Sequence, residues 1–196
     1  MEMQEKRLIL RNEVVAYMKP KKIDSETFED KYYLLEGFTE LSETANIQEY
    51  TRKYVNEASE RTNATGMNKQ YSFNLDFYDG DIVHADIKNM YDKEKLGSDT
   101  EREFLSVETY KEIKFTDNVT RTEKTGKKAS MRKYSIIISD RSGDQALTYS
   151  GTCNSAGKTI DGVATSDDNW QTVTFTPIEN ITINNGTDTE NQNTIL

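Results

Sequence analysis

The 196-residue chain contains one cysteine, one histidine, one tryptophan and two prolines. A lone Cys153 excludes an internal disulfide. A lone His84 excludes a catalytic histidine pair and a histidine-rich metal centre. Apolar residues make up only 34% of the chain, and none of their runs is long enough for a signal peptide or a membrane span. An unprocessed cytoplasmic product is therefore expected, in which the triplets NAT (63–65), NVT (118–120), NIT (180–182) and NGT (185–187) go unglycosylated. Basic residues are also short, 25 against 34 acidic, for a net charge of −9. That balance opposes tight nucleic-acid binding through phosphate neutralisation and binding to anionic membrane surfaces. With charged residues at 30%, some segments are expected to order only against partners.

The length suits one domain with a sizeable core, and eleven tyrosines, with many Thr and Ile, favour strands. NEVVAYMKP (12–20) reads as a first strand stopped by Pro20, KKIDSETFEDK as a loop, and YYLLEGFTEL (32–41) as a second strand interrupted at Gly37. Residues 46–57 fit either period: Ile47, Tyr50, Tyr54 and Val55 make a helical face, while Tyr50, Arg52 and Tyr54 alternate. ASERTNATGMNKQ (58–70) has no period and reads as a long loop.

YSFNLDF (71–77) alternates cleanly, with Tyr71, Phe73, Leu75 and Phe77 on one face and Ser72, Asn74 and Asp76 on the other. DGD (79–81) then turns into the one helix, about 81–95. Its buried stripe is Val83, Ile87, Met90 and Tyr91, with Asp79 and Asp81 at its N-terminus and Gly97 past its end. REFLSVETYKEIKF (102–115) alternates again, with Leu105, Val107, Ile113 and Phe115 in one phase. A basic loop (121–128) containing TGKK follows, then strands in RKYSIIIS, QALTYSGTC and WQTVTFTP, with DRSGD (140–144) as a hairpin connection. Pro177 ends the pattern, and residues 178–196 read as a flexible arm. The fold class is mainly β: an antiparallel sandwich or half-barrel with one flanking α-helix.

Three motifs invite chemistry and fall short of it. Gly157-Lys158-Thr159 resembles the end of a phosphate-binding loop. The glycine that loop needs at 152 is Thr152, and IDGVATSDDNW, rich in turn formers, cannot open the required helix. Cys153 and His84 can pair as nucleophile and base, although a strand cysteine and a histidine beside an apolar stripe are ordinarily core residues. A small hydrolase built on them would still need a third group and an oxyanion loop, and neither is recognisable. Asp76, Asp79 and Asp81 miss the alternate spacing of a calcium loop. No catalytic residue, metal or cofactor is expected.

IQEYTRKYVNEASERTNATGMNKQYSFNLDFYDGDIVHADIKNMYDKEKLGSDTEREFLSVETY resembles the central block of the tail-tube (major tail) proteins of long-tailed bacteriophages. KYVNEAS (53–59) opens the long loop, YSFNLDFYDGDIV (71–83) leads into the helix, and after LGSD (96–99) a strand returns in FLSVETY (104–110). GDQALTYSGTCNSAGKTIDGVATSDDNWQTVTFTP resembles the family's last strands. The resemblance spans roughly residues 12–177, leaving an N-terminal arm (1–11) and a C-terminal arm (178–196).

The resemblance implies a structural role rather than an enzyme. Six subunits would join their sheets into a ring, and rings would stack into the conduit through which viral DNA passes in the virion. Implied partners are further copies of the chain and other tail proteins (tape measure, tail terminator, distal tail), with no membrane. It turns 46–57 into an extended arm and makes 46–70 an inter-ring loop, with Tyr54, Asn56, Glu57, Arg61, Thr65 and Met67 at the interface and Asn74, Asp76 and Glu108 lining the channel. The inner tube of a contractile tail shares these features. A virion-surface carbohydrate-binding module is the alternative from another class, and it would require an exposed Trp170.

The rejected phosphate loop gives a first expectation. Saturating Mg-ATP should leave the melting temperature unchanged, whereas ligand at a hundred times its dissociation constant would add about 2.7 kcal/mol. A clear upward shift would restore the nucleotide reading.

Overall fold

The computed structural model describes residues 7–21 and 30–184. The first six residues, most of the loop expected after Pro20 and the end of the C-terminal arm lie outside the described residues. In chain order the elements are β1 (Val14–Lys19), β2 (Tyr32–Leu34), β3 (Phe38–Arg52), β4 (Arg61–Asp76), α1 (Ile82–Asp92), β5 (Glu101–Asp117), β6 (Glu123–Ser142), β7 (Thr148–Ser155), β8 (Ile160–Thr165), β9 (Thr172–Pro177) and β10 (Ile181–Ile183).

All pairings are antiparallel. The strand order is β10-β5-β1-β2-β9-β8-β6-β7-β4-β3, and β5 also pairs with β6. That extra pairing closes β5-β1-β2-β9-β8-β6 into a six-stranded barrel, from which β7, β4 and β3 extend as an outer sheet. Strand β6 serves both parts. Lys127–Met131 pair with β8 in the barrel, and Tyr134–Ser142 pair with β7 in the outer sheet.

The residues of β6 explain this division. Its barrel half places small Gly126 and Ala129 where a narrow barrel needs close approach. A Cβ at Gly126 would stand 2.4 Å from Val163 Cγ1 and 2.5 Å from the Ala164 carbonyl oxygen. Its outer half, YSIII, supplies Tyr134 and Ile136 to the core beneath the helix. The barrel interior is filled by Tyr17, Tyr32, Leu105, Val107, Ala129, Ala164 and Val173.

The second core lies on the other side of β5 and β6. There Phe73, Leu75, Phe104, Tyr134, Ile136, Tyr149 and Cys153 meet Val83, Ile87 and Met90 of α1. Asp81 caps this helix, its Oδ1 accepting from the Val83 and His84 amides at 2.8 and 3.0 Å. The helix stops at Asp92, three residues before the expected end at 95. Glu94 takes the left-handed conformation (φ 48°), the Lys95 amide donates to the Met90 carbonyl and the Glu94 amide to the Tyr91 carbonyl. This is a Schellman stop with glutamate where glycine is usual, so Gly97 was a misleading marker. Tyr91 sits at the rim of the stripe, 37% exposed, edge-on to Tyr149 and under the Arg141 guanidinium.

One polar contact crosses this core. Arg102 Nε and Nη2 donate to the two carboxylate oxygens of Asp86 at 2.5 and 2.6 Å, and both side chains are 1% exposed. Arg102 Nη1 also donates to the Asp99 and Glu101 carbonyls, and the Lys21 amide donates to Asp86 Oδ2. The pair ties α1, β5 and the end of β1 together with its donors and acceptors used.

Four expectations need correction. Residues 61–70 are not a loop but the first half of β4, paired residue by residue with β3. TGKK lies within β6, not in a basic loop, with the turn at 118–122. IDGVAT is strand β8, with Val163 and Ala164 buried against the barrel. Regular structure also continues past Pro177: β10 pairs Ile181 with Asp117 and Ile183 with Phe115, burying Ile181. Residues 61–70 and TGKK pair with the strand just before them, across a turn, whereas β8 and β10 pair with residues about 30 and 65 positions away.

Because the Asp86–Arg102 pair is dry, removing one charge strands the other. Asp86→Asn should destabilise the domain by about 3 kcal/mol in urea unfolding. Lys88→Ala, at an exposed pair with Asp92, should leave the midpoint unmoved. Equal effects would show that the buried pair does not lock the helix.

Candidate assembly surfaces

The outer sheet has two unlike faces. Successive residues of a strand alternate, so Tyr71, Phe73 and Leu75 of β4, with Tyr149 and Cys153 of β7, lie under α1. The intervening residues face away from the helix: Ser42 and Thr44 on β3, Gln70, Ser72, Asn74 and Asp76 on β4, and Ser150, Thr152 and Asn154 on β7. Cross-strand register places them in rows: Ser42–Ser72–Thr152, Asn74–Ser150 and Asp76–Thr148. This face is half-exposed to exposed, and among the described residues no element packs over it. Between Glu40 and Thr44, Gln70 and Asp76, and Thr148 and Asn154 it bears no lysine, arginine or aromatic ring.

Asn74 and Asp76 belong to this face, and Glu108 does not. Glu108 shares the phase of Phe104 on β5, with no bulge between them, which puts it on the helix side of the sheet. There its carboxylate meets Lys128 Nζ at 3.1 Å and accepts from Tyr110 OH at 2.8 Å. Burial raises its pKa, but the Tyr110 and Lys128 hydrogen bonds outweigh this and hold the carboxyl below its ordinary value. The three residues named from sequence therefore do not share one wall. Alternation revealed the phase within each strand, while the relation between strands came only from pairing.

Beyond Gln70, β4 leaves β7 and pairs only with β3, forming a two-stranded ribbon that runs to the Arg52–Arg61 pair. Nearly every residue on it is exposed, including Ile47 (56%), Met67 (56%) and, in the turn, Val55. The six residues named for the interface all lie here. Ile47 and Met67 are cross-strand partners, and Thr65 is the extra residue at a register shift. Tyr54 and Asn56 are exposed in the turn, Tyr54 under the Arg52 guanidinium, and Glu57 pairs with Arg61. Such a ribbon is marginal by itself in water.

The residues that invited chemistry are occupied otherwise. His84 is fully buried: its Nδ1 accepts from the Tyr78 amide at 2.9 Å, so Nε2 carries the proton and faces the Glu36 carbonyl at 2.9 Å. Burial pushes the Cys153 thiol up to about 12, which suppresses the thiolate a nucleophile needs. The Gly157 carbonyl accepts from Arg132, and β8, not a helix, follows Thr159. Trp170 packs on the barrel interior, and its carbonyl accepts from Tyr17 OH at 3.0 Å. Trp170 is thus half-buried rather than presented as an open platform, which weakens the carbohydrate reading. No group of three or more metal-ligating side chains occurs among the described residues.

A small closed barrel extended by an outer sheet, with one helix across that sheet and a long exposed ribbon, is a fold this chain shares with a solved phage tail tube. One such structure is the SPP1 tail tube solved by solid-state NMR and cryo-EM, at TM-score 0.50 and 14% identity over 79% of this chain and 78% of that one. Similarity also extends to a chain of a native gene transfer agent virion (TM-score 0.48, 11% identity, 78% of this chain, 97% of that one). It extends likewise to a chain of the anti-feeding prophage baseplate (0.43, 8%, 81% and 97%). No family model matches the sequence, and no curated protein matches it.

An uncovered face should tolerate new side chains. Asn74→Lys and Ser150→Lys should each change the free energy of unfolding by less than ~0.5 kcal/mol. Leu75→Lys, on the buried face beside them, should unfold the domain. Strong destabilisation by the first two would mean that the polar face is packed.

Proposed function

We propose that this chain is the structural subunit of a tail tube, assembling in rings that stack into a conduit for viral DNA. The observation that carries the reading is the outer sheet. One face is sealed by α1, the other is polar and uncovered, and a ribbon with little reason to stand alone projects from the same two strands. The fold likeness to the SPP1 tail tube supports it, and the resemblance in sequence implies rings of six.

In this reading the uncovered face of β7, β4 and β3 forms the channel wall, with Asn74 and Asp76 on it. DNA is held by cations that displace its counterions, or by aromatic rings on which bases stack. The face offers neither. Hydroxyls and amides keep it wet, and Glu40 and Asp76 repel phosphate. Glu108, paired to Lys128 on the helix side, belongs to a different surface. The ribbon residues Tyr54, Asn56, Glu57, Arg61, Thr65 and Met67 make the contact to the next ring, where Ile47 and Met67 lose their exposure.

The test is electron microscopy of concentrated purified protein, together with a variant whose ribbon is trimmed in register by replacing residues 47–67 with Asn-Gly. Wild type should give tubes, while the trimmed variant should remain folded by circular dichroism and stop at single rings or monomers. Tubes of normal length from the trimmed variant would overturn the ribbon assignment, and a wild type that never associates would overturn the reading itself.

A further inference from the structure

Where the root of the ribbon meets the outer wall of the barrel, a pocket of about 90 Å³ opens on the helix side of β5 and β6. Its floor is made of small residues. Ala16, Ser106 and Ser130 lie opposite one another on β1, β5 and β6, while their neighbours Tyr17, Leu105 and Ala129 turn into the barrel. The rings of Tyr71, Phe104 and Tyr134, packed against one another, close one side. Arg132, Thr159 and the Lys69–Glu43 ion pair complete the walls.

The polar groups of these walls are mostly donors. Arg132 Nε donates to the Gly157 carbonyl at 2.8 Å, which fixes the guanidinium and leaves Nη1 and Nη2 for the pocket. The Ser106 and Ser130 hydroxyls face each other across the β5–β6 pair and are free to turn toward it. Glu43 is the one carboxylate among the walls, and it is engaged by Lys69 Nζ at 2.9 Å and by the Tyr71 hydroxyl. Burial first, then Tyr134 and Glu43, raise the Tyr71 pKa, so that phenol keeps its proton at neutral pH. Donors around a neutralised carboxylate select an anion. The volume equals about three waters at their liquid share of about 30 Å³ each, which is room for one tetrahedral ion and none for a nucleoside.

We infer that this pocket binds a free tetrahedral oxyanion, phosphate or sulfate, between Arg132 and Lys69, with Ser106 and Ser130 donating from the floor. Arg132 lies where β6 changes partner, just past Met131, the end of its β8 pairing, and before Tyr134, the start of its β7 pairing. Lys69 opens the ribbon. The anion therefore ties the ribbon root to the barrel. The turn carrying Gly157-Lys158-Thr159 takes part in an unexpected way: it gives a carbonyl to Arg132 and Thr159 to the wall, not a nest of amides to a nucleotide. Asp161, opposite Ser130 on β8, sets a negative group beyond the floor and disfavours a longer polyanion.

The test follows the melting temperature of the full chain in phosphate, sulfate or chloride at matched ionic strength, together with the phosphorus NMR linewidth of inorganic phosphate. Wild type should show a saturable upward shift in phosphate and sulfate but not in chloride, and the phosphate line should broaden. Arg132→Gln should weaken the apparent affinity about tenfold or more, since a hydrogen bond from a charged donor contributes at least that factor. Arg132→Lys should recover part of the loss. Because Arg132→Gln also removes the bond to Gly157, Ser130→Asp serves as a second probe. It keeps Arg132, places a carboxylate on the floor, and should abolish the broadening while melting near wild type in chloride. No saturable response in wild type, or an equal response in wild type and both variants, would overturn the site. A short oligonucleotide that matched the effect of phosphate would overturn it as well, in favour of a phosphodiester contact.

Discussion

Strand β6 carries the architecture, because it hydrogen-bonds to three other strands. Its first half is flanked by β5 and β8 and completes the barrel, while its second half is flanked by β7 and founds the outer sheet. A single strand can do this only if its side chains change character where its partner changes. Gly126 and Ala129 let β8 come close, and Tyr134 and Ile136 then fill the space beneath the helix. A bulge at Ile138–Asp140 follows where the strand leaves the core.

The helix makes the two faces of the outer sheet unlike. α1 lies across β4, β6 and β7 with Val83, Ile87 and Met90 inward, and the buried Asp86–Arg102 pair fixes it to β5. Desolvating two charges is unfavourable, and hydrophobic substitutes often serve stability equally well. What the pair adds is direction: a bidentate guanidinium accepts its carboxylate in one geometry. With one side of the sheet closed, the other is left to water, and its hydroxyl and amide rows follow from that.

The outer sheet is also unfinished at both margins. Natural sheets ordinarily blunt a free edge with charges, bulges or covering segments. Here, among the described residues, β3 is open along its length and β6 is open on one side from Ile136. The ribbon adds a pair of strands with neither face covered. Exposed Ile137, Ile47 and Met67 lie on these unfinished parts, and exposed Leu96 lies in the turn between α1 and β5.

How much of this could be read without coordinates depended on the range of the interactions involved. β1, the 71–76 half of β4, β5 and α1 were legible because alternation and the i, i+4 stripe are local, and the Asp81 cap lies next to the helix it serves. The helix end was missed because Glu94 takes a conformation that glycine usually marks. β8 and β10 were missed because a polar segment becomes a strand only when another part of the chain supplies its ladder, and the 61–70 half of β4 because its polar hairpin with β3 has no apolar alternation to mark it.

The candidate site divides in the same way. Sequence determined that Asn74 and Asp76 lie opposite Phe73 and Leu75, since phase within one strand is fixed by the pleat. It likewise determined that Gly157-Lys158-Thr159 lacks the spacing of a phosphate loop. Only the tertiary structure decided that Glu108 lies on the other side of the sheet, that Trp170 packs half-buried against the barrel core, and that among the described residues β3 and β6 present the open edges. Those facts depend on which strands pair, and pairing joins residues a hundred positions apart whose relation no local pattern records.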